Sequence, residues 1–305
     1  MSADRPAMFG AIEAGGTKFV LAVGHGHDAI VAHTQIPTTN PEETLQRTAA
    51  WFRQHGALSS LGIASFGPVD LDPASATWGY ITDTTKPGWS HTNVAARLGD
   101  ELGCPVGFDT DVNGAAIGEY RYGAAQGCAV AIYVTVGTGI GGGAIVGGRT
   151  IQGMRHPEMG HVMLRRHPDD QQFAGACPFH GDCLEGLASG PAIKARWGAS
   201  LSELAADHVA HPIIADYLAQ FCQMLIALYS PQRIILGGGV LQTRGLLDSI
   251  RDRAAARAGS YFGVDAAAII TAPGLGTLSG IAGAFELAKR AAQGDHPEAF
   301  GAGLS

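Results

Sequence analysis

Four residues between positions 161 and 183, His161, Cys177, His180 and Cys183, are of the two types that hold zinc best, at a spacing that suits a single ion. Cys177-Pro-Phe-His180-Gly-Asp-Cys183 offers three soft or borderline donors within seven residues, set among Gly and Pro, and His161 lies sixteen residues upstream to offer a fourth. A closed, structural zinc with these four ligands is the reading the residue types favour. Two others stay open: ordinary buried thiols beside a loop histidine, and a catalytic zinc with an open position near Glu185.

Carboxylates and glycine-rich turns carry the rest of the chemistry. Phe9 to Gly24 and Ala129 to Gly148 share one plan, an apolar strand, a glycine-rich turn and a second apolar strand, so each reads as a β-hairpin whose turn leaves backbone N–H groups free for phosphate. Gly137-Thr-Gly139-Ile-Gly141-Gly142 contains G-x-G-x-x-G, but the glycine-rich run that follows is a poor helix, so the dinucleotide fingerprint fails. Gly15-Gly16-Thr17-Lys18 lacks the Walker A spacing. Asp109-Thr-Asp111-Val-Asn113-Gly114 imitates the start of a calcium loop, yet Tyr120 stands where the bidentate Glu belongs. Asp111 fits better as a residue just past the strand Val106 to Phe108, at the carboxyl edge where α/β sheets place their ligands. Asp109 and Asp111 can equally cap a helix beginning near Asn113, and Glu158 and Glu185 can be solvated or helix-end charges.

The elements that must position these groups alternate. Glu42 to Gly56 has helical spacing behind Pro41, Leu61 to Ala64 is a short strand, helices are expected around Leu184 to Trp197 and Ile213 to Tyr229, and the strand Arg233 to Leu236 leads through Gly237 to Gly239 into another helix. A last helix, Leu278 to Arg290, precedes a Gly-, Pro- and Ala-rich tail expected to be loosely ordered. At 305 residues, 46% hydrophobic and 15% charged, the chain has material for two packed domains and is not of a disordered class. A net charge of -7 without a basic run disfavours nucleic acid. No leader pattern and no run near the roughly 18 apolar residues of a membrane span is evident, so a cytoplasmic protein without a membrane partner is expected. Cys104, Cys128 and Cys222 read as reduced and structural, and His156, His167, His208 and His211 as surface or loop residues.

Seven segments, GAIEAGGTKF, IASFGPVDL, TTKPGW, DTDVNGAAIGE, VTVGTGIGGG, RHPEMGH and CPFHGDCLEGLASGP, follow one another in this order. From about Phe9 to Lys289 the sequence resembles the repressor, open reading frame and kinase (ROK) family of sugar kinases, and is most similar to its zinc-containing bacterial fructokinases. The resemblance implies an α/β, two-lobed fold of the actin-like ATPase and sugar-kinase type with a ligand cleft between the lobes. It implies a small lobe at 1–118 joined by a C-terminal helix at about 278–305, and a large lobe at 119–277 that contains the zinc site. The implied activity is transfer of phosphate from Mg-ATP to a hexose, fructose to fructose 6-phosphate, by a homodimer.

Carried onto this sequence, Asp111 matches the catalytic base, and Thr110, Asp111, Glu158, His161 and Glu185 match the sugar-contacting positions, so that His161 would serve both zinc and sugar. Glu13, Gly15, Gly16, Thr17 and Lys18 match the first phosphate loop, and Gly137, Thr138 and Gly139 the second. Ser189, Gly190, Gly237, Gly238 and Gly239 resemble adenosine-side segments, as does Gly274 to Thr277. Three positions depart from the broad family pattern: Glu13 replaces Asp, Thr110 replaces Asn, and His180 stands in a ligand set often richer in cysteine. A manno- or glucokinase, a sugar-binding regulator without kinase activity, and an ATP-dependent structural protein are the alternatives. The regulator is disfavoured because a strand beginning by Phe9 leaves no room here for a helix-turn-helix ahead of it.

Overall fold

A computed structural model describes residues 6–295. The Gly-, Pro- and Ala-rich tail therefore lies largely outside the described residues. The chain divides into two compact units: the chain up to Tyr122 with Ile151–His156 and the chain from Thr277, and Gly123–Thr150 with Pro157–Gly276.

In the first unit, β1 (Phe9–Ala14) and β2 (Lys18–Gly24) form an antiparallel hairpin, and β3 (Ile30–Pro37) adds antiparallel to β2. After α1 (Pro41–Arg53) the chain returns as β4 (Ser60–Ser65), parallel to β1. The short pair β5 (Tyr80–Ile81) and β6 (Thr92–Asn93) and helix α2 (Ala95–Leu102) then lead to β7 (Val106–Thr110), parallel to β4. The order is β3-β2-β1-β4-β7. Helix α3 (Asp111–Tyr122) leaves the end of β7.

Every residue of β4 is buried, as a strand covered on both faces must be. The two faces differ in size. Ile12, Phe19, Leu21 and Ile63 meet Leu45 and Phe52 of α1 and Leu98 of α2. α1 starts where Pro41 follows Asn40, whose side chain accepts the Glu43 N–H at 2.9 Å. The opposite face presents Ala11, Ala22 and Ala64 to the C-terminal helix, Ser279–Ala292. Those small residues let that helix lie almost on the sheet backbone: a Cβ on Gly62 would fall 1.8 Å from the Ala284 carbonyl oxygen, and one on Gly283 would fall 1.7 Å from that of Gly114 in α3.

The second unit repeats the plan. β8 (Val130–Val136) and β9 (Ile140–Val146) form the hairpin, β10 (Arg149–Thr150) adds antiparallel to β9, and β11 (Arg233–Gly237) and β12 (Ile270–Thr271) follow in parallel, in the order β10-β9-β8-β11-β12. Its helices are α4 (Leu184–Ala188), α5 (Gly190–Trp197), α6 (Ala210–Tyr229), α7 (Leu246–Ala258) and the one-turn α8 (Ala266–Ile269); the C-terminal helix of the first unit is α9. The apolar stretch expected as helix between 184 and 197 is broken at Ser189, whose hydroxyl accepts the Ala192 N–H and starts α5 anew. Beyond Gly239 comes a 3-10 turn, Val240–Gln242, and α7 begins only at Leu246.

Contrary to the expectation that no segment approaches a membrane span, α6 is long and apolar enough by length and composition alone. The reason is internal: it is apolar nearly all round because it is a core helix packed against α4 and α7. Its Asp216 carboxylate is held by Arg257 at 2.5 Å and Gln220 at 2.9 Å.

Candidate active site and metal centre

The ends of β1, β4 and β7 are in register, Ala14 beside Ser65 and Ser65 beside Thr110, so the residues that follow them emerge together on one carboxyl edge. The Thr110 hydroxyl is buried and accepts the Asn113 N–H at 3.1 Å, an N-cap that starts α3 at Asp111, two residues before the sequence suggests. Asp109 is also buried; its Oδ1 accepts from the Thr110 N–H at 2.8 Å and the Asn113 amide at 2.7 Å, which makes it a bracket for this strand-to-helix junction. The junction is regular structure, not a calcium loop.

Asp111 is half-buried at the first turn of α3, and its Oδ1 accepts the Val112 N–H at 2.8 Å. Burial pushes its carboxyl up to about 7; the Val112 N–H pulls the other way, and the nearby charge of Glu13 adds to the rise. Glu13, in β1, is itself raised by burial, with Lys18 opposing. It lies against α9 where Gly280 has no side chain, since a Cβ there would sit 2.5 Å from Glu13 Cδ.

The turn between β1 and β2 is closed by Gly15 N–H donating to Lys18 O at 2.9 Å, and the Thr38 hydroxyl donates to Gly15 O at 2.7 Å. Gly16 has no left-handed backbone, and a Cβ added to it would meet nothing within 4 Å. Neither the turn nor the packing demands glycine there. Gly137, in the matching turn between β8 and β9, shows the same two properties. Open space over backbone amides is what close approach of a phosphate requires.

Within the second unit several expected residues converge on that second turn. Gly190 N–H donates to Gly137 O at 2.8 Å, and Glu185 Oε2 accepts the Ile140 N–H at 2.9 Å while lying 2.7 Å from where a Gly139 Cβ would be. Gly238 has φ +94°, and a Cβ on it would strike Val136 backbone atoms at 2.4 Å. Pro273, adjoining Gly274, packs near Gly237. The β8-β9 turn, Glu185, Ser189-Gly190 and Gly237 to Gly239 thus pack together within the second unit. Glu158 is exposed at the head of the 3-10 turn Met159–His161, where its carbonyl accepts the His161 N–H at 3.1 Å.

The four metal-type residues meet, with all ligand atoms within 4.8 Å of one another. His161 Nδ1 lies 3.7 Å from Cys177 Sγ, 3.5 Å from Cys183 Sγ and 3.2 Å from His180 Nδ1, and Cys177 Sγ lies 3.8 Å from His180 Nδ1. Zinc bond lengths of about 2.3 Å to sulfur and about 2.05 Å to nitrogen at the tetrahedral angle give edges of about 3.6 Å for S···N and about 3.3 Å for N···N. These four separations are therefore close to the edges of a tetrahedral zinc site, and all donors lie within 4.8 Å of one another. His161 turns Nδ1 to the cluster, which leaves Nε2 for another partner. The Cys177–Gly181 turn is closed by reciprocal N–H···O bonds of 3.1 and 3.0 Å and uses Gly181 at φ +61°. Burial pushes the Cys183 thiol up to about 11, so a cation bound there must displace protons.

One expectation needs correcting: His156 is buried, and its Nε2 accepts the Val69 N–H at 3.0 Å. Nothing in its local sequence signals burial, because the cavity that takes it is made by the turn after β4. Arg166 and Asp170, beside the metal loop, also escape a sequence reading.

Residues 9–291 match the profile of the ROK family. A fructokinase of Zymomonas mobilis is 50% identical over 92% of this chain and 96% of its own, and one of Lactococcus lactis is 44% identical over 80% and 82%. Among solved structures, a ROK family glucokinase of Streptomyces griseus, in complex with glucose and AMPPNP, superposes with a TM-score of 0.74 at 26% identity, covering 93% of this chain and all of that one.

Proposed function

The chain belongs to the ROK family, and we propose that within it this protein is an ATP-dependent fructokinase that transfers phosphate to the 6-hydroxyl of D-fructose. The observation that carries the chemistry is Asp111, a half-buried carboxylate at the carboxyl edge of the first sheet with its proton affinity raised to about 7. A general base works best with a pKa near the working pH. Asp111 takes the proton of the attacking hydroxyl; little covalent chemistry is asked of the remaining residues, which position groups and offset charge. Backbone amides of Gly16 to Lys18 and of Thr138 and Gly139 hold phosphate oxygens, the Gly15 and Gly137 N–H groups closing the two turns, and Glu13 holds magnesium through water. Mg-ATP supplies the electrophilic phosphoryl group. Ser189-Gly190 and Gly237 to Gly239 line the adenosine side.

The choice of zinc for the His161, Cys177, His180 and Cys183 site is supported by its edge lengths and its two sulfur and two nitrogen donors. The ion is structural: with four protein ligands no position is left for a reacting water. It fixes His161, whose free Nε2, together with Glu158 and Glu185, is suited to sugar hydroxyls.

The choice of fructose rests on relatives named fructokinase at 44–50% identity over most of the chain. Coupled ADP release measured with fructose, mannose and glucose tests it. Fructose is expected to give the highest kcat/KM. A higher value for glucose overturns the substrate and leaves the kinase standing; ADP release that ignores sugar, or none at all, overturns the kinase.

A further inference from the structure

We propose that Arg166 and Asp170 form an outer support of the metal centre, pinning the segment that carries Cys177, His180 and Cys183 to α5 and α6 and thereby setting metal affinity without touching the ion. This rests on the reading of those residues, with His161, as a zinc site.

The segment between Met163 and Cys183 has almost no regular structure of its own apart from the 3-10 turn Pro168–Asp170, so its shape has to come from side chains. Arg166 supplies it from inside. Its guanidinium donates to the Asp170 carbonyl, to the Phe173 carbonyl at 2.5 Å and to the Asp182 carboxylate at 3.2 Å. One residue therefore ties three points of the segment together, the last immediately before the ligand Cys183.

Asp170 ties the same segment to the helices. Its side chain is 1% exposed and ion-paired with Arg196 of α5. It also accepts the Tyr217 hydroxyl of α6 at 2.6 Å, and Tyr217 in turn accepts the His167 N–H at 3.2 Å. Arg196 cannot swing away, because its guanidinium lies 4.1 Å over the Trp197 ring and 5.3 Å from the centre of Phe173. Burial, with the Asp170 bond behind it, pushes Tyr217 up to about 12, so its hydroxyl remains a donor.

Every charge in this group is paired, and each pair joins the segment to itself or to α5 of the same unit. Four ligands can bind one ion tightly only if they are held in place before it arrives; otherwise part of the binding energy is spent ordering the loop. Groups that orient metal ligands from outside typically change metal affinity 10–100-fold when removed.

The test compares the purified full chain with Arg166→Met, Arg166→Lys, Asp170→Asn and, as a control, Leu225→Ala, which opens a cavity in α6 remote from the ion pairs. Zinc content is measured, then zinc affinity by competition with a chromogenic chelator, alongside Tm. Arg166→Met is expected to weaken zinc about 10–100-fold, with Arg166→Lys and Asp170→Asn intermediate. Leu225→Ala should keep wild-type zinc affinity despite a lower Tm. Folded Arg166→Met with wild-type affinity overturns the proposal, as does an equal loss in Leu225→Ala, which would reduce the effect to general instability. A wild-type chain that carries and takes up no zinc overturns the metal reading, and this proposal with it.

Discussion

Asp111→Asn separates a base from a helix cap, because the two roles predict opposite changes in stability. In the folded chain Asp111 titrates at about 7 against an ordinary value of 3.8. The folded state therefore holds this proton more tightly than the unfolded chain, and stability drains as pH rises from about 4 to about 7, levelling off above that. The difference corresponds to a ceiling of ~4 kcal/mol at 1.36 kcal/mol per pH unit. Asp111 is partly open to solvent, where water relaxes the cost, so about 1–2 kcal/mol is the expected size.

Asparagine keeps the shape and an acceptor for the Val112 N–H but carries no charge. Asp111→Asn should thus melt roughly 2–6 °C above wild type at pH 8, with the gap closing toward pH 5. Its kcat should fall on the order of 10²-fold or more with saturating fructose. Thermal melts across pH 5–8 and coupled ADP release measure both. A variant less stable than wild type at pH 8 would make Asp111 a cap, and one that keeps more than a tenth of kcat would remove it as the base.

Gly16→Ala and Gly137→Ala should each fold with an unchanged Tm, since the added methyl meets no protein atom, while the KM for ATP rises at least several-fold; a lowered Tm with ordinary KM would mean that these glycines serve the fold. Metal analysis should find about one zinc per chain, and Cys183→Ala should lose it together with several degrees of Tm; stoichiometric zinc remaining in that variant would break the four-ligand assignment.

What could be read from the sequence was whatever is local. The hairpins at Phe9 and Ala129 show as apolar strands around glycine, and the metal donors show because Cys and His at such spacing are rare. β3 was not legible: its pattern is Ile-Val-Ala-His-Thr-Gln-Ile-Pro, and alternate residues face solvent on an edge strand, so little apolar signal remains. The helix start at Asp111 depends on which of Thr110, Asp109 and Asp111 turns inward, and that is decided by the register of β7 on β4. The Asp170 group draws on positions 166, 170, 182, 196 and 217, a contact set that no short window contains. The glycines of α3 and α9 look helix-breaking in sequence and become intelligible only as the surfaces where two backbones touch.

The repeated sheet accounts for the two glycine turns and, on the proposed reading, for the single base. β1-β2 and β8-β9 are the same hairpin in the same place of the same strand order, so the two glycine turns occupy matching positions in the two units. The third parallel strand is where the copies part. In the first unit it is β7, five residues long, and it passes through the Thr110 cap into α3 with Asp111 as the first helical residue. In the second it is β12, two residues long, followed by Ala272-Pro273-Gly274, and Pro273 packs beside Gly237. Proline cannot begin the next segment with a free N–H, and no carboxylate stands where Asp111 would be. The same fold element thus ends in an acid in one copy and in a turn packed against Gly237 in the other. On the kinase reading proposed above, phosphoryl transfer needs two phosphate grips and one proton acceptor; the two hairpin turns are the candidates for the grips, and Asp111, at the strand end where the copies differ, is the candidate for the acceptor.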